Sequence, residues 1–277
     1  MSSQVQVLNL RYFSSGGYGD LYLGQLRNNG ATVIVKFLRE YKDRYTRQAF
    51  AREAGILRRR VRGLVPILFS DTRTERPYYV MPYMSGGQLS GYAGRLSRQQ
   101  AHSVALELAR ILGNFHMSIG THGDFKPANI LVSPDGKLNV ADPSGNGLGC
   151  TMLFSQGVGG TPAYWAPEVS TRGISRAADV YSYGATLYEL VTGQTPREGQ
   201  EFGPAPRQQA AAPKLWEIIG CCCQTDSKAR PTMQEVVQML EGASWADIQA
   251  ARARAAEFLK GVGVVAGIAL GIIALTG

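Results

Sequence analysis

His122, Asp124, Lys126 and Asn129 lie together in the run His122-Gly123-Asp124-Phe125-Lys126-Pro127-Ala128-Asn129-Ile130-Leu131, and Asp142 follows thirteen residues after Asn129. Two carboxylates, one ammonium and one carboxamide in this order suit phosphoryl transfer from ATP-Mg²⁺. One carboxylate can orient a hydroxyl nucleophile, while the carboxamide and the second carboxylate can hold magnesium. As a bare string this spacing recurs by chance. Its meaning depends on whether a nucleotide cradle precedes it.

Such a cradle can be read in the first eighty residues. Val5 to Phe13 and Leu21 to Leu26 read as strands around the Gly-rich turn Ser14-Ser15-Gly16-Gly17-Tyr18-Gly19-Asp20-Leu21. Glycines there let backbone amides approach phosphates without an intervening Cβ. An ordinary hairpin turn is the alternative. Ala31 to Leu38 reads as a third strand carrying Lys36 near its end. Arg47 to Arg60 then reads as a helix, with Thr46 as its N-cap and Phe50, Ala54 and Leu57 along one side. Glu53 on that helix could pair with Lys36 and hold its ammonium towards phosphate oxygens. Val65 to Phe69 and Tyr78 to Met81 read as further strands. Beyond Gly86-Gly87 the pattern turns helical, over Arg98 to His116, Ala178 to Thr192, Pro213 to Cys223 and Thr232 to Leu240. Arg197 to Ala212 reads as a loop.

The order of these motifs resembles the eukaryotic-type (Hanks-type) protein kinase family, from about Leu8 to Leu240. The hinge Met81-Pro82-Tyr83-Met84, Gly160-Thr161-Pro162-Ala163-Tyr164-Trp165-Ala166-Pro167-Glu168, Asp179-Val180-Tyr181-Ser182-Tyr183-Gly184 and Arg230-Pro231 also stand in family order. The resemblance implies an α+β, two-lobed fold. Residues 8–83 would form a small lobe of antiparallel sheet and one helix, and residues 84–241 a larger, mainly helical lobe. It further implies that Ser14, Ser15, Gly16, Gly17, Tyr18 and Gly19 cover the phosphates of ATP, and that Lys36, held by Glu53, contacts them. Leu21 and Leu131 would sandwich the adenine, with backbone groups of Pro82 and Met84 at its edge. Asp124 would accept the substrate proton, Lys126 would neutralise the γ-phosphate, and Asn129 and Asp142 would ligate Mg²⁺. Glu168, Arg230 and Asp179 would support the fold. Lys126 together with Gly160-Thr161 is similar to the serine/threonine branch, so protein Ser and Thr hydroxyls are the implied acceptors. Thr151, Ser155 and Thr161 are candidates for self-modification.

Several positions depart from the family pattern. Ser14 replaces the first loop glycine, and Pro82 stands at the hinge where an acidic residue is common. Gly123 replaces the arginine before the catalytic aspartate, so a phosphate on the activation segment lacks a local cation to order it. Ile34 replaces an alanine over the adenine and narrows that space. Asp142-Pro143-Ser144-Gly145 replaces Asp-Phe-Gly, and Pro143 fixes its φ near −65°. These changes keep a second reading open, a membrane-tethered pseudokinase that serves as a binding scaffold. The complete set Lys36, Glu53, Asp124, Lys126, Asn129 and Asp142 favours the enzyme.

The chain has 277 residues, 44% of them hydrophobic, and a formal net charge of +8. That is ample for a core. The charge permits anionic partners without naming one, and nothing supports nucleic acid as a partner. The run Leu57-Arg58-Arg59-Arg60-Val61-Arg62-Gly63 reads as a solvated helix end, with a lipid-head-group or acidic-partner patch as the alternative. Cys150 and Cys221-Cys222-Cys223 have neither disulfide-framework nor metal-site spacing and read as reduced, structural thiols. The N-terminus shows no signal-peptide pattern. Residues 242–260 read as a juxtamembrane helix outside the main domain, opened by the capping box Ser244-Trp245-Ala246-Asp247. Residues 261–277 carry no charge and would extend about 25 Å as a helix, close to the ~30 Å of a hydrocarbon core. They read as a C-terminal transmembrane helix, with an apolar packing helix that needs no lipid as the alternative, and Gly263, Gly267 and Gly271 are spaced for homodimerisation. Arg252, Arg254 and Lys260 just before it predict a single-pass topology with the catalytic domain in the cytoplasm.

Overall fold

The computed structural model describes residues 5–16, 19–39, 44–143, 162–202, 213–255 and 257. The small lobe is a five-stranded antiparallel sheet of β1 (Val7–Gly16), β2 (Gly19–Leu26), β3 (Thr32–Leu38), β4 (Phe69–Asp71) and β5 (Tyr78–Pro82), in the order β1-β2-β3-β5-β4. Alternation along β3 and β5 sorts their side chains. Val33, Val35 and Val80 form a cluster on one face, while Ile34, Leu38, Tyr79 and Met81 join the main core on the other. Lys36 shares the parity of Ile34 and Leu38 and pairs in register with Tyr79. The sheet thus carries a lysine on its core-facing side.

Helix α1 (Arg44–Leu57) buries Phe50, Glu53, Ala54 and Leu57. The face agrees with the sequence reading; the boundaries do not. Thr46 lies inside the first turns and is buried, so it is not the N-cap, and the helix stops before Arg58. Arg58–Arg60 form an exposed turn closed by Arg60 at φ 52°. No helix-breaking residue separates Arg44 from the apolar face, so the helix begins early. The strand expected over Val65 to Phe69 reduces to β4, and Leu64 makes only an isolated bridge to Val140.

The larger lobe is built on α2 (Arg98–Ser118), opened by a Ser97/Gln100 capping box. It continues with α3 (Val169–Arg172), α4 (Arg176–Thr192), α5 (Pro213–Cys222) and α6 (Met233–Leu240). Helix α4 is buried on nearly every side, which makes it the central rod of this lobe. A second sheet, β6 (Gly87–Gln88), β7 (Ile130–Val132) and β8 (Leu138–Val140), floors the cleft; such short strands left no periodic signal in the sequence. Cys221 and Cys222 are buried and Cys223 half-buried, all unpaired, and burial raises all three thiol pKa values.

Within residues 242–260 the chain is helical over 245–255 (α7), and this helix is packed on the large lobe rather than standing outside the main domain. Ser244 Oγ caps it by accepting from Asp247 N at 3.1 Å. Ile248 is buried in the main core, and Arg252 bonds Glu235 and the Arg230 carbonyl while lying over the Trp245 ring. Residues 261–277, with Gly263, Gly267 and Gly271, lie outside the described residues. Among the described residues no helix is long and apolar enough to cross a membrane.

Candidate active site

Six polar side chains singled out by sequence form two clusters. In the first, Lys36 Nζ donates to Glu53 Oε1 at 2.7 Å and to Asp142 Oδ1 at 2.6 Å. Both Lys36 and Glu53 are buried, while the Asp142 side chain keeps 44% of its exposure towards the cleft. The Tyr79 hydroxyl donates to the same Glu53 Oε1 at 2.5 Å. Burial pushes the Glu53 carboxyl up from 4.5 to about 7, against the pull of the Lys36 ammonium and with help from the Asp142 charge. Burial also acts to raise Asp142, but the charge of Lys36 and its hydrogen bond outweigh it and leave Asp142 at about 2. Asp142 sits at φ 52°, a left-handed conformation that costs roughly 1–2 kcal/mol for a residue with a Cβ. Its 2.6 Å bond to Lys36 holds it there.

In the second cluster, Lys126 Nζ donates to Asp124 Oδ2 at 2.7 Å. Asn129 Nδ2 donates to the same oxygen and to the Asp124 carbonyl, both at 2.8 Å. The turn Pro127–Asn129 makes this possible by folding the carboxamide back on the aspartate. Asp179 on α4 anchors the loop, its two oxygens accepting from His122 N at 2.7 Å and Gly123 N at 2.8 Å. Gly123 lies at φ 85°, where a side chain would be strained, so the replacement of arginine here suits the backbone as well as removing a charge.

His122 and the backbone join the two clusters. Buried His122 accepts from Asp124 N on Nδ1 at 3.2 Å and donates from Nε2 to the Ala141 carbonyl at 3.1 Å, which fixes a neutral tautomer. Burial lowers its pKa in the same sense. Ala141 N donates to the Asn129 carbonyl at 2.8 Å, which sets the neighbouring Asp142 beside the loop.

The nucleotide cradle is brought to the same place. Ser14 pairs with Leu21 across the β1–β2 hairpin, Gly16 pairs with Gly19, and Ser15 Oγ donates to Asp20 Oδ1 at 2.7 Å. A Cβ on Gly19 would sit 2.6 Å from the Phe37 carbonyl and 3.1 Å from Lys36 Cγ, so the loop reaches β3 only because this residue has no side chain. Gly17 and Tyr18 lie outside the described residues, as do Thr151, Ser155, Thr161 and Ser144-Gly145 of the activation segment. Ile34, Met81 and Met84 are buried in the main core, with Leu21 and Leu131 partly buried against it. Pro82 ends β5 opposite Val33, with Met84 buried just beyond, and Phe13 meets Tyr83 edge-on at 6.0 Å.

No group of three or more His, Cys, Asp or Glu with metal-binding geometry exists among the described residues. Asn129 and Asp142 are nevertheless hard oxygen donors on one cleft. That fits Mg²⁺, which keeps several waters and takes few protein ligands beside phosphate oxygens. The sequence reading passed over Tyr79 and gave His122 no role. The facing register of Lys36 and Tyr79 is what could have exposed Tyr79.

Residues 9–240 match the protein kinase domain family. The chain belongs to that family. It is 29% identical over 255 residues to the serine/threonine-protein kinase STY46 of Arabidopsis thaliana, covering 82% of this chain and 42% of that protein. It is 30% identical over 248 residues to the probable serine/threonine-protein kinase PknB of Bifidobacterium longum, covering 78% of this chain and 36% of that one. With the serine/threonine-protein kinase Pkn1 of Myxococcus xanthus it shares 32% over 201 residues, 68% of this chain and 29% of that protein. The kinase domain therefore spans less than half the length of these relatives. The other fold-bearing residues of the family motifs are also engaged here: Arg230 makes a two-pronged bond to Glu168 at 2.6 and 2.8 Å, and His116 Nε2 lies 3.0 Å from Asp179.

Proposed function

We propose that this chain is an ATP- and Mg²⁺-dependent serine/threonine protein kinase. The observation that carries the reading is the pair of hydrogen-bonded clusters, Lys36 with Glu53 and Asp142 and Asp124 with Lys126 and Asn129, set side by side by the Ala141–Asn129 backbone bond. A binding scaffold has no chemical need to keep all six in working geometry. The relatives' names support the serine/threonine class.

Lys36 neutralises the non-transferred phosphates, and Glu53 keeps its ammonium from turning away. Bonds from Lys126 and Asn129 both end on Asp124 Oδ2, which leaves Oδ1 for the acceptor hydroxyl. As the acceptor oxygen bonds to the γ-phosphorus, the bond from that phosphorus to the β-phosphate oxygen breaks. The hydroxyl proton passes to Asp124 Oδ1 and ADP leaves. Lys126 balances charge on the moving group. Asn129 and Asp142 would hold Mg²⁺, which supplies positive charge to the phosphate oxygens when bound. Since Gly123 supplies no cation, assembly of this loop does not wait for a phosphate on the activation segment.

The uncharged run of residues 261–277 supports a membrane tether and, through Gly263, Gly267 and Gly271, a homodimer. Carbonate extraction of the full chain beside a version ending at Glu257 tests the tether: only the full chain should stay with the lipid. The enzymatic reading is tested by label transfer from γ-labelled ATP to the protein itself or a generic substrate, followed by phosphoamino-acid analysis. Phosphoserine or phosphothreonine in the wild type and its loss in Asp124→Asn is expected; equal signal in both sinks the reading.

A further inference from the structure

We propose that Tyr79 is a positioning residue for the phosphate-binding lysine, acting through Glu53. The inference rests on the kinase reading and adds a residue to it. Register places Tyr79 directly across from Lys36 in the β3–β5 ladder, so ring and ammonium share the core-facing side of the sheet. Tyr79 is 1% exposed, and it grips α1 at two points. Its ring lies 5.3 Å from that of Phe50, one turn before Glu53, and its hydroxyl donates to Glu53 Oε1 at 2.5 Å. That oxygen is also the one Lys36 uses. Lys36 Nζ in turn lies 5.6 Å from the centre of the Tyr79 ring.

One acceptor atom therefore receives both donors. A buried carboxylate with a single donor is poorly solvated and loosely placed, and a second donor on the same atom fixes its position. The hydroxyl of Tyr79 thus keeps Glu53 in place to hold Lys36. The residue after Asp142 is Pro143, which has neither an aromatic ring nor a hydrogen-bond donor and cannot share that task. The groups facing Glu53 are Lys36 from β3, Tyr79 from β5 and Asp142 after β8, with His122 beyond Asp142. Among these, Tyr79 is the neutral donor. Its own ionisation is held well above the ordinary range by burial and by the Glu53 charge, so it stays a donor across the working pH range.

The test is Tyr79→Phe, which retains the ring and its Phe50 contact and removes only the oxygen. Affinity for ATP-Mg²⁺ is measured by calorimetry for Tyr79→Phe in the wild-type background and again in a Lys36→Met background. In the wild-type background the dissociation constant should rise about tenfold, and with Lys36 already removed Tyr79→Phe should add little. At pH 7 the KM for ATP should rise about tenfold, with kcat changed less. An unchanged dissociation constant, or an equal loss in the Lys36→Met background, overturns the proposal, whatever the activity. A Lys36-dependent loss of affinity in a protein that transfers no phosphate would uphold the Tyr79–Glu53 link and defeat the kinase reading instead.

Discussion

The two polar clusters of the cleft use similar groups under opposite conditions. Lys36, Glu53 and Asp142 come from a strand, a helix and a loop, with Asp142 106 residues from Lys36. They meet where Lys36 and Glu53 have almost no solvent. Asp124, Lys126 and Asn129 lie within six residues and meet because one tight turn folds them together, at the partly open edge of the cleft. The first cluster is a tertiary structure whose charges are costly to separate. The second is a local structure whose charges are free to engage a substrate. Breaking the first should damage the fold; breaking the second should damage mainly the rate.

The largest expected effect on stability follows from Glu53→Ala, which leaves a buried ammonium short of a partner. A loss of about 3 kcal/mol is expected, near the low end for a buried pair because Asp142 still faces Lys36. Chemical denaturation checks it, and a loss below about 1 kcal/mol would erase the contrast between the clusters. Gly19→Ala comes next. Its Cβ, 2.6 Å from the Phe37 carbonyl, should displace the loop at roughly 1–3 kcal/mol and raise the KM for ATP with little change in kcat.

The pH dependence sharpens the comparison further. Glu53 is raised from 4.5 to about 7, so its contribution to stability is full below pH 4.5 and is lost as pH climbs through 7. The melting temperature should fall across that window on account of Glu53, and Glu53→Gln should flatten the fall. Asp142, lowered from 3.8 to about 2, works the other way, its contribution vanishing only as pH drops below 3.8 towards 2. The smallest change in stability belongs to Lys126→Ala, about 1 kcal/mol, with turnover reduced about 100-fold. Steady-state kinetics beside a melting curve reads both.

The same contrast explains what could be read from the chain. Asp124, Lys126 and Asn129 were legible as a unit because their geometry is encoded within one turn. Pairing of Lys36 with Glu53 could be anticipated from an apolar strand followed by a helix with Glu53 on its core side. Tyr79 could not, because a tyrosine in the run Tyr78 to Met81 reads as strand filling until the register with β3 is known. Helix α1 was found by its apolar face, yet Thr46 looked like a cap while the chain was already helical at Arg44. Helix α7 was legible from Ser244 and Asp247, but its docking depends on Ile248 and Arg252 finding partners that local pattern does not show.

The most direct test of the central claim is Asp124→Asn, measured for ATP-Mg²⁺ binding by calorimetry and for phosphoryl transfer in a single turnover. The account predicts near-normal binding and stability with transfer slowed about 10²- to 10⁴-fold, the range for loss of a general base. Transfer at the wild-type rate, or loss of nucleotide binding in step with transfer, would contradict it.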